Sequence, residues 1–169
     1  LKARAGISTS LESGFRVDLL DYDRTVKKYL VQNNRDRAKK PVKQVRSWVE
    51  EELVYPFISG KTISLFQASI AGYYLVPHLP ETGMKAIMEP VMEKEYPGVL
   101  AFFSQIEDTL TNRVLHQRWG KGMRAPYYSL YNIGLYTFAP YKLVWKRTTN
   151  HFETAVISST KMSSGKKQI

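Results

Sequence analysis

Helical periodicity is clearest in one part of this sequence, near residues 81–118, and this limits the folds that the chain can adopt. Two apolar stripes with helical spacing occur there: Met84, Ile87, Met88, Val91 and Met92, then Val99, Phe103, Ile106, Leu110 and Val114. We expect the first, methionine-rich stripe to lie in the core. Pro97-Gly98 separates the two runs.

Elsewhere, short segments between Gly and Pro residues predict mostly strands. Phe15, Val17 and Leu19 alternate with charged residues, and residues 72–76 form an apolar run before Pro77. We also predict strands at 3–7, 42–49, 136–138 and 141–145, a loop at 33–41, short helices at 24–31 and 50–58, and a strand or helix at 151–158. The expected fold is a single α+β domain over residues 1–158 with mostly antiparallel strands, followed by a flexible Ser/Lys-rich tail at 159–169.

Charge is unevenly distributed in this chain of net charge +10. Residues 24–46 hold nine Lys or Arg and one acid, residues 113–147 hold seven and no acid, and residues 47–112 hold nine acids and three bases. Segregated positive charge favours a polyanionic partner. We expect the two basic blocks to fold together into one concave face that fits a double helix.

Residues 119–147 interleave aromatic side chains with cations in a Gly/Pro-rich segment, which is typical of a nucleic-acid surface. Phe138 and Trp145 alternate with polar neighbours, so we expect these two rings in the core. The predicted DNA-contacting residues are Arg35, Arg37, Lys39, Lys40, Lys43, Lys61, Arg118, Lys121, Arg124, Tyr127, Tyr128, Lys142 and Lys146.

Motifs for catalysis or metal binding are missing from the sequence. It has no Cys, and its three histidines lack metal-ligand spacing. Gly60-Lys61-Thr62 resembles the end of a phosphate-binding loop, but Tyr55 stands where that motif needs its first glycine. No apolar run approaches the roughly 18 residues of a membrane span. We therefore predict no catalytic, cofactor or metal site in this chain, no membrane partner, and a cytoplasmic location.

Four ordered stretches resemble the C-terminal specificity domain of adenine-specific DNA methyltransferases of the TaqI-like and Eco57I-like type. They are residues 3–9 with Gly14-Phe15, residues 53–63 (LVYPFISGKTI), Tyr96-Pro97 with the helix predicted to end at Arg113, and residues 132–145 (NIGLYTFAPYKLVW). The last is similar to the family's Tyr-Lys-Val-Val-Trp motif. The family often has Arg at the position of Ser59 and Asp at that of Thr62.

The resemblance implies that the chain is a fragment that recognises DNA for a methyltransferase. The catalytic domain, with its S-adenosylmethionine site and the loop that holds the flipped adenine, would lie upstream in the same chain. Duplex DNA and that domain are then the partners, and the fragment alone is not an enzyme. Three alternatives stay open: a standalone nucleic-acid-binding protein, an interaction module of a restriction or phage-defence complex, and a parent that also carries a nuclease.

Overall fold

The structure is a computed structural model that describes residues 3–36 and 42–168. Its strands are β1 (Arg16–Asp23), β2 (Lys28–Asn33), β3 (Arg46–Glu50), β4 (Val54–Phe57), β5 (Ile63–Ser64), β6 (Gln67–Ala68), β7 (Gly72–Leu75), β8 (Lys142–Trp145), β9 (Thr154–Ile157), β10 (Ser159–Met162) and β11 (Gly165–Gln168). Its α-helices are α1 (Glu89–Glu95), α2 (Pro97–Ser104) and α3 (Glu107–Thr111). Single 3₁₀ turns occur at Glu12–Gly14, Glu51–Leu53, Gly60–Thr62 and Leu135–Phe138, and a π-helical turn at His116–Gly120.

The main element is an antiparallel sheet with strand order β3-β2-β1-β7-β4. Helix α2 packs against β3, and α1 and α3 contact α2. Phe15 lies between the sheet and the helices, with its ring 5.3 Å from that of Phe103. The predicted α+β class with mostly antiparallel strands is confirmed. None of the helices in the described part of the chain has the length and apolar character needed to cross a bilayer.

The strands predicted around Val17 and at 72–76 are confirmed, but both short predicted helices are wrong. Residues 24–27 form a turn, with Lys27 at φ 53°, and β2 then pairs on both sides. Tyr29 and Val31 are buried alternately in β2, which is a strand pattern. Residues 54–57 extend as β4 because pairing with β7 outweighs the weak helical pattern.

Glu50, expected at the start of a helix, instead ends β3 as a buried carboxylate. Its oxygens accept hydrogen bonds from the N–H groups of Gly98 and Val99, both at 3.0 Å, and Lys28 Nζ lies 2.8 Å away. A Cβ at Gly98 would come within 2.3 Å of the Trp48 carbonyl oxygen. Glu50 therefore holds the first turn of α2 closely against β3, where only glycine fits.

The helical region itself differs from its sequence pattern. In the methionine-rich stripe Ile87 and Met92 are buried, but the other three side chains, Met84, Met88 and Val91, are exposed. The core prediction was wrong for Met84 and Met88 because both precede α1, which begins only at Glu89, and wrong for Val91 because α1 buries Met92 instead. In the second stripe Val114 is 64% exposed and Arg113 takes the buried position.

Short hairpins complete the fold: β5–β6, β8–β9 and β10–β11, with β5 and β6 packed on β9. The strand predicted at 141–145 is confirmed as β8, and residues 151–158 contain β9, whereas 136–138 form a 3₁₀ turn and 3–7 form no strand. The tail was predicted to be flexible, but Ser159–Gln168 form the β10–β11 hairpin. Met162 joins the core and Tyr29 Oη bonds Ser164 Oγ at 2.9 Å, so the hairpin is part of the domain.

Candidate nucleic-acid interface

An exposed basic segment follows α3, and we refer to residues 114–125 as the basic loop. Arg118, Lys121 and Arg124 are all exposed on it. The Arg118 guanidinium lies 5.2 Å from the centroid of the exposed Trp119 ring, a cation–π contact. The loop therefore presents three cations and one aromatic surface to solvent.

Backbone hydrogen bonds give the basic loop a defined shape. The N–H of Lys121 donates to the His116 carbonyl at 3.1 Å, and the N–H of Ala125 donates to the Gly120 carbonyl at 2.9 Å. A Cβ at Gly120 would come within 2.3 Å of His116 Nδ1, so this close approach requires glycine. Arg124 has a φ of 50°, in the left-handed region where non-glycine residues are uncommon.

Arg113 anchors the basic loop from inside the domain. It is only 2% exposed, and Nε donates to the Leu110 carbonyl at 3.0 Å. The two terminal nitrogens donate to the carbonyls of Thr9 (2.7 Å), Tyr127 (2.6 Å) and Ser129 (2.9 Å). These bonds join three separate segments at the base of the loop, because the planar guanidinium donates in several directions at once.

Electrostatics at the basic loop are one-sided. The sequence contains no Asp or Glu between residues 113 and 152. No ion pair joins Arg118, Lys121 or Arg124 to an acid within the described ranges. Burial lowers the pKa of Arg113 to about 10, so this side chain stays charged at neutral pH. The three exposed cations of the loop have no acidic partner among the described residues, and such unpaired positive charge attracts a polyanion.

The two tyrosines predicted as DNA contacts differ in exposure. Tyr127 is half-buried, with Oη 3.3 Å from Ser104 Oγ, and its ring meets Tyr128 edge-on at 5.0 Å. Tyr128 is fully buried, stacks on Phe103 at 5.7 Å and donates through Oη to the Ile87 carbonyl at 2.9 Å. The prediction that Tyr128 contacts DNA is therefore wrong, because its ring belongs to the core.

Lys61, Lys142 and Lys146 lie away from the basic loop in sequence, on the small hairpins and the turn before them. Lys61 is exposed in the 3₁₀ turn that precedes β5. Lys142 is half-buried and donates to the Thr137 carbonyl at 2.9 Å, and burial lowers its pKa. Lys146 forms an ion pair with Glu153, so its charge is offset. Of the three, Lys61 is the one most accessible to a phosphate.

The first basic block is divided between opposite ends of the β1–β2 hairpin. Residues 24–27 form its turn, beyond the pair Asp23–Lys28, whereas Arg35 and Lys43 lie exposed at the other end. The ends are about 20 Å apart at roughly 3.3 Å per residue. The expectation of one concave face containing both basic blocks is therefore wrong for residues 24–28. Arg37, Lys39 and Lys40 lie outside the described residues.

The Arg35 end of the hairpin and the base of the basic loop share a neighbour, the segment of residues 9–15. Asn33 Nδ2 donates to the Ser13 carbonyl at 3.2 Å, and Arg113 reaches Thr9 and stacks over Phe15 at 4.7 Å. Arg35 itself donates to Gln44 Oε1 at 2.8 Å. Part of the first block thus lies at the same end of the sheet as Arg113.

Sequence reasoning missed the exposed apolar surface of the small hairpins. Trp145 was expected in the core but is 41% exposed, whereas Phe138 is half-buried and meets the Tyr55 ring at 5.6 Å. Leu143 and Val156 are cross-strand partners and both are exposed. Alternation along β8 indicates two faces but cannot show which one the rest of the protein covers.

Two of the three histidines, His78 and His116, are buried and contact other parts of the fold. His78 is fully buried and its Nε2 accepts from the N–H of Leu130 at 3.0 Å. His116 is buried beside Tyr131, whose Oη is 3.4 Å from Nδ1. Over residues 3–36 and 42–168 no group of three or more His, Asp or Glu is arranged to hold a metal ion.

Comparison with known proteins does not indicate a family for this chain, so its function is inferred from its sequence, fold and surface. No protein-family model matches the chain, and no curated protein or solved structure matches it significantly.

Proposed function

We propose that this protein binds duplex DNA through the basic loop. The observation that carries the proposal is the set of exposed cations Arg118, Lys121 and Arg124 on a loop anchored by the buried Arg113. Lys and Arg neutralise phosphates, and Arg can also donate two hydrogen bonds to a guanine edge. A loop that already has a defined conformation loses less conformational entropy on binding than a flexible one.

We further propose that the chain is the target-recognition module of an adenine-specific DNA methyltransferase. The resemblance of residues 132–145 and 53–63 to that family supports this. In this proposal a catalytic domain elsewhere in the parent binds S-adenosylmethionine and takes the flipped adenine. The basic loop would then hold the duplex in register.

One observation favours the second candidate, a protein-interaction module of a restriction or phage-defence complex. Leu143, Trp145 and Val156 form an exposed apolar group on the β8–β9 hairpin. Exposed apolar patches of this kind mark protein interfaces as well as other binding surfaces. A standalone nucleic-acid-binding protein would use the same basic loop.

The test is a DNA-binding titration by fluorescence anisotropy over a series of salt concentrations. Binding through phosphates should weaken steeply, with a log–log slope of about −0.9 per phosphate neutralised. Arg124→Ala or Lys121→Ala should weaken binding by about 1–3 kcal/mol if the side chain contacts a base, and by less if it contacts a phosphate. Alanine keeps the Cβ of Arg124, so the strain at its positive φ stays unchanged.

Lys94→Ala is the matched control, because Lys94 is an exposed lysine on α1 that pairs with Glu95. It removes the same charge at a site that we do not assign to DNA, and its affinity should stay near the wild-type value. Wild-type affinity in the Arg124 and Lys121 variants, with the fold intact, would remove the basic loop from the interface. Binding to DNA that is insensitive to salt would argue against phosphate contact altogether.

A further inference from the structure

The tip of the β5–β6 hairpin exposes two large apolar side chains next to each other. Strands Ile63–Ser64 and Gln67–Ala68 pair directly, so Leu65 and Phe66 alone form the turn. Leu65 is 56% exposed and Phe66 is 79% exposed. Turn positions normally carry Gly, Asn, Asp, Ser or Pro, so a Leu-Phe tip is unusual.

The backbone at Phe66 is strained as well as exposed. Its φ is 62°, in the left-handed region that a turn normally fills with Gly or Asn. A bulky aromatic residue in this conformation costs folding free energy, and its exposed ring recovers little of it by burial. Side chains kept at such a cost often act at a binding site.

Hydrogen bonds hold the tip firmly on the rest of the domain. The N–H of Phe66 donates to the Thr154 carbonyl of β9 at 2.8 Å, and the N–H of Ser69 donates to the Thr62 carbonyl at 2.9 Å. Ile63 is buried at the base of the hairpin. The apolar tip therefore projects from a supported element and does not depend on a loose loop.

The charges near the tip suit an approach to DNA. Residues 53–80 contain no Asp or Glu, and their single cation, Lys61, is exposed three residues before Ser64. On the neighbouring β8–β9 hairpin, Glu153 is paired with Lys146. No unpaired carboxylate on these hairpins would repel phosphates, and Lys61 would attract them.

We propose that the Leu65-Phe66 tip is a wedge that inserts between adjacent base pairs of duplex DNA and partly unstacks them. Proteins that deform DNA commonly insert Phe, Leu or similar apolar side chains at a base step, and the energy of unstacking is offset by a larger contact surface. Pyrimidine–purine steps unstack most easily and are the expected sites. The inference rests on the proposed DNA binding but assigns it a second contact, separate in sequence from the basic loop.

The test uses a duplex of about 30 base pairs with 2-aminopurine replacing adenine at a central TA step, because unstacking raises the fluorescence of 2-aminopurine. Wild-type protein should raise the fluorescence at saturation. Phe66→Asn removes the ring but suits the positive φ, so it should abolish the rise and weaken binding roughly tenfold. The same variant should raise the Tm by about 2–4 °C, because strain is relieved.

Two matched variants complete the experiment. Phe66→Trp keeps an aromatic ring at the tip and should keep the fluorescence rise. Phe152→Asn removes a ring that is 71% exposed on the β8–β9 hairpin but lies outside the tip, and it should keep both the rise and the affinity.

A higher Tm together with loss of the fluorescence rise in Phe66→Asn supports the wedge. A lower Tm would overturn it, because the ring would then serve the fold. A fluorescence rise that Phe66→Asn retains would also overturn it. If Phe66→Asn loses self-association or binding to another protein but still distorts DNA, the tip is a protein contact and the wedge is likewise overturned. If wild-type protein binds DNA without any rise, the wedge fails and the proposed function stands. If wild-type protein does not bind DNA, the proposed function itself fails.

Discussion

Residues 127–130 are held at two junctions that differ in chemistry. On the side of the basic loop, the Arg113 guanidinium donates to the carbonyls of Tyr127 and Ser129 at 2.6 and 2.9 Å. On the side of the main sheet, neutral His78 accepts from the N–H of Leu130 at 3.0 Å. One junction is made by a buried charge, and the other by a buried neutral ring.

The difference lies in what protonation does to each junction. Arg113 keeps its proton with a pKa of about 10, and four of its five N–H donors bond to carbonyls. His78 is neutral because burial lowers its pKa to about 4, against partial opposition from the backbone of Gly83 and Lys85. The Arg113 junction thus keeps its charge as the solution is acidified, whereas the His78 junction fails when His78 gains a proton near pH 4.

The largest expected effect comes from Arg113→Met, which leaves buried carbonyls without donors. We expect the free energy of unfolding to fall by roughly 3–5 kcal/mol, measured by urea denaturation. Arg113→Lys should lose somewhat less, because an ammonium keeps the charge but not the planar geometry. Lys94→Met, at an exposed position, is the control and should change little. A loss below about 1 kcal/mol in Arg113→Met would show that water replaces the guanidinium readily.

Acidification should weaken the His78 junction. The folded-state pKa of about 4 lies below the ordinary 6.5, so the unfolded chain binds a proton first as pH falls. The contribution of neutral His78 is complete above about pH 6.5 and is lost progressively down to about pH 4, for a total of about 3 kcal/mol. Denaturation at several pH values measures it.

The control for this experiment is His78→Gln, whose side-chain oxygen can still accept from Leu130 but does not titrate in this range. Burial also lowers the pKa of His116, so some acid sensitivity should remain in His78→Gln. An unchanged pH dependence of stability in His78→Gln would assign all of the acid sensitivity to other groups. It would contradict the proposed difference between the His78 and Arg113 junctions.

A smaller effect is expected from Gly120→Ala. This variant tests whether the close packing of Gly120 against His116 and Tyr131 supports the basic loop in addition to the hydrogen bonds of Arg113. The added Cβ would lie 2.3 Å from His116 Nδ1 and 2.7 Å from Tyr131 Oη. We expect a loss of about 1–3 kcal/mol in stability by thermal denaturation. Gly122→Ala is the matched control on the same loop, since its nearest atom is 3.9 Å away, and it should be close to neutral. Equal losses in both variants would point to helix or turn propensity as the cause.

Local pattern was enough for several elements. Alternation around Val17 predicted β1, the apolar run at 72–76 predicted β7, and residues 141–145 contain β8. It failed at residues 24–31, where the helical spacing of Val26, Tyr29 and Leu30 is also compatible with a strand. Pairing of β2 with both neighbours decided between the two, and a short window of sequence does not contain that information.

For the candidate interface, the exposure of Arg118, Lys121 and Arg124 agrees with what their Gly-rich segment predicted. Arg113 belongs to the same basic block, and nothing local marks it as the buried member. Tyr128 was grouped with surface aromatics, yet it is fully buried against Phe103. The charge and aromatic content of a segment indicate a candidate interface, but they do not show which of its side chains face solvent.

The sequence by itself determined the α+β class, the presence of a helical region in the middle of the chain and the segregation of charge, because these depend on residue type and local spacing. Only the tertiary structure decided that Arg113 is an internal anchor and that Phe66 is an exposed, strained tip. The physical reason is that burial depends on contacts between segments far apart in the chain. Thr9, Tyr127 and Ser129 must come together before Arg113 can leave water.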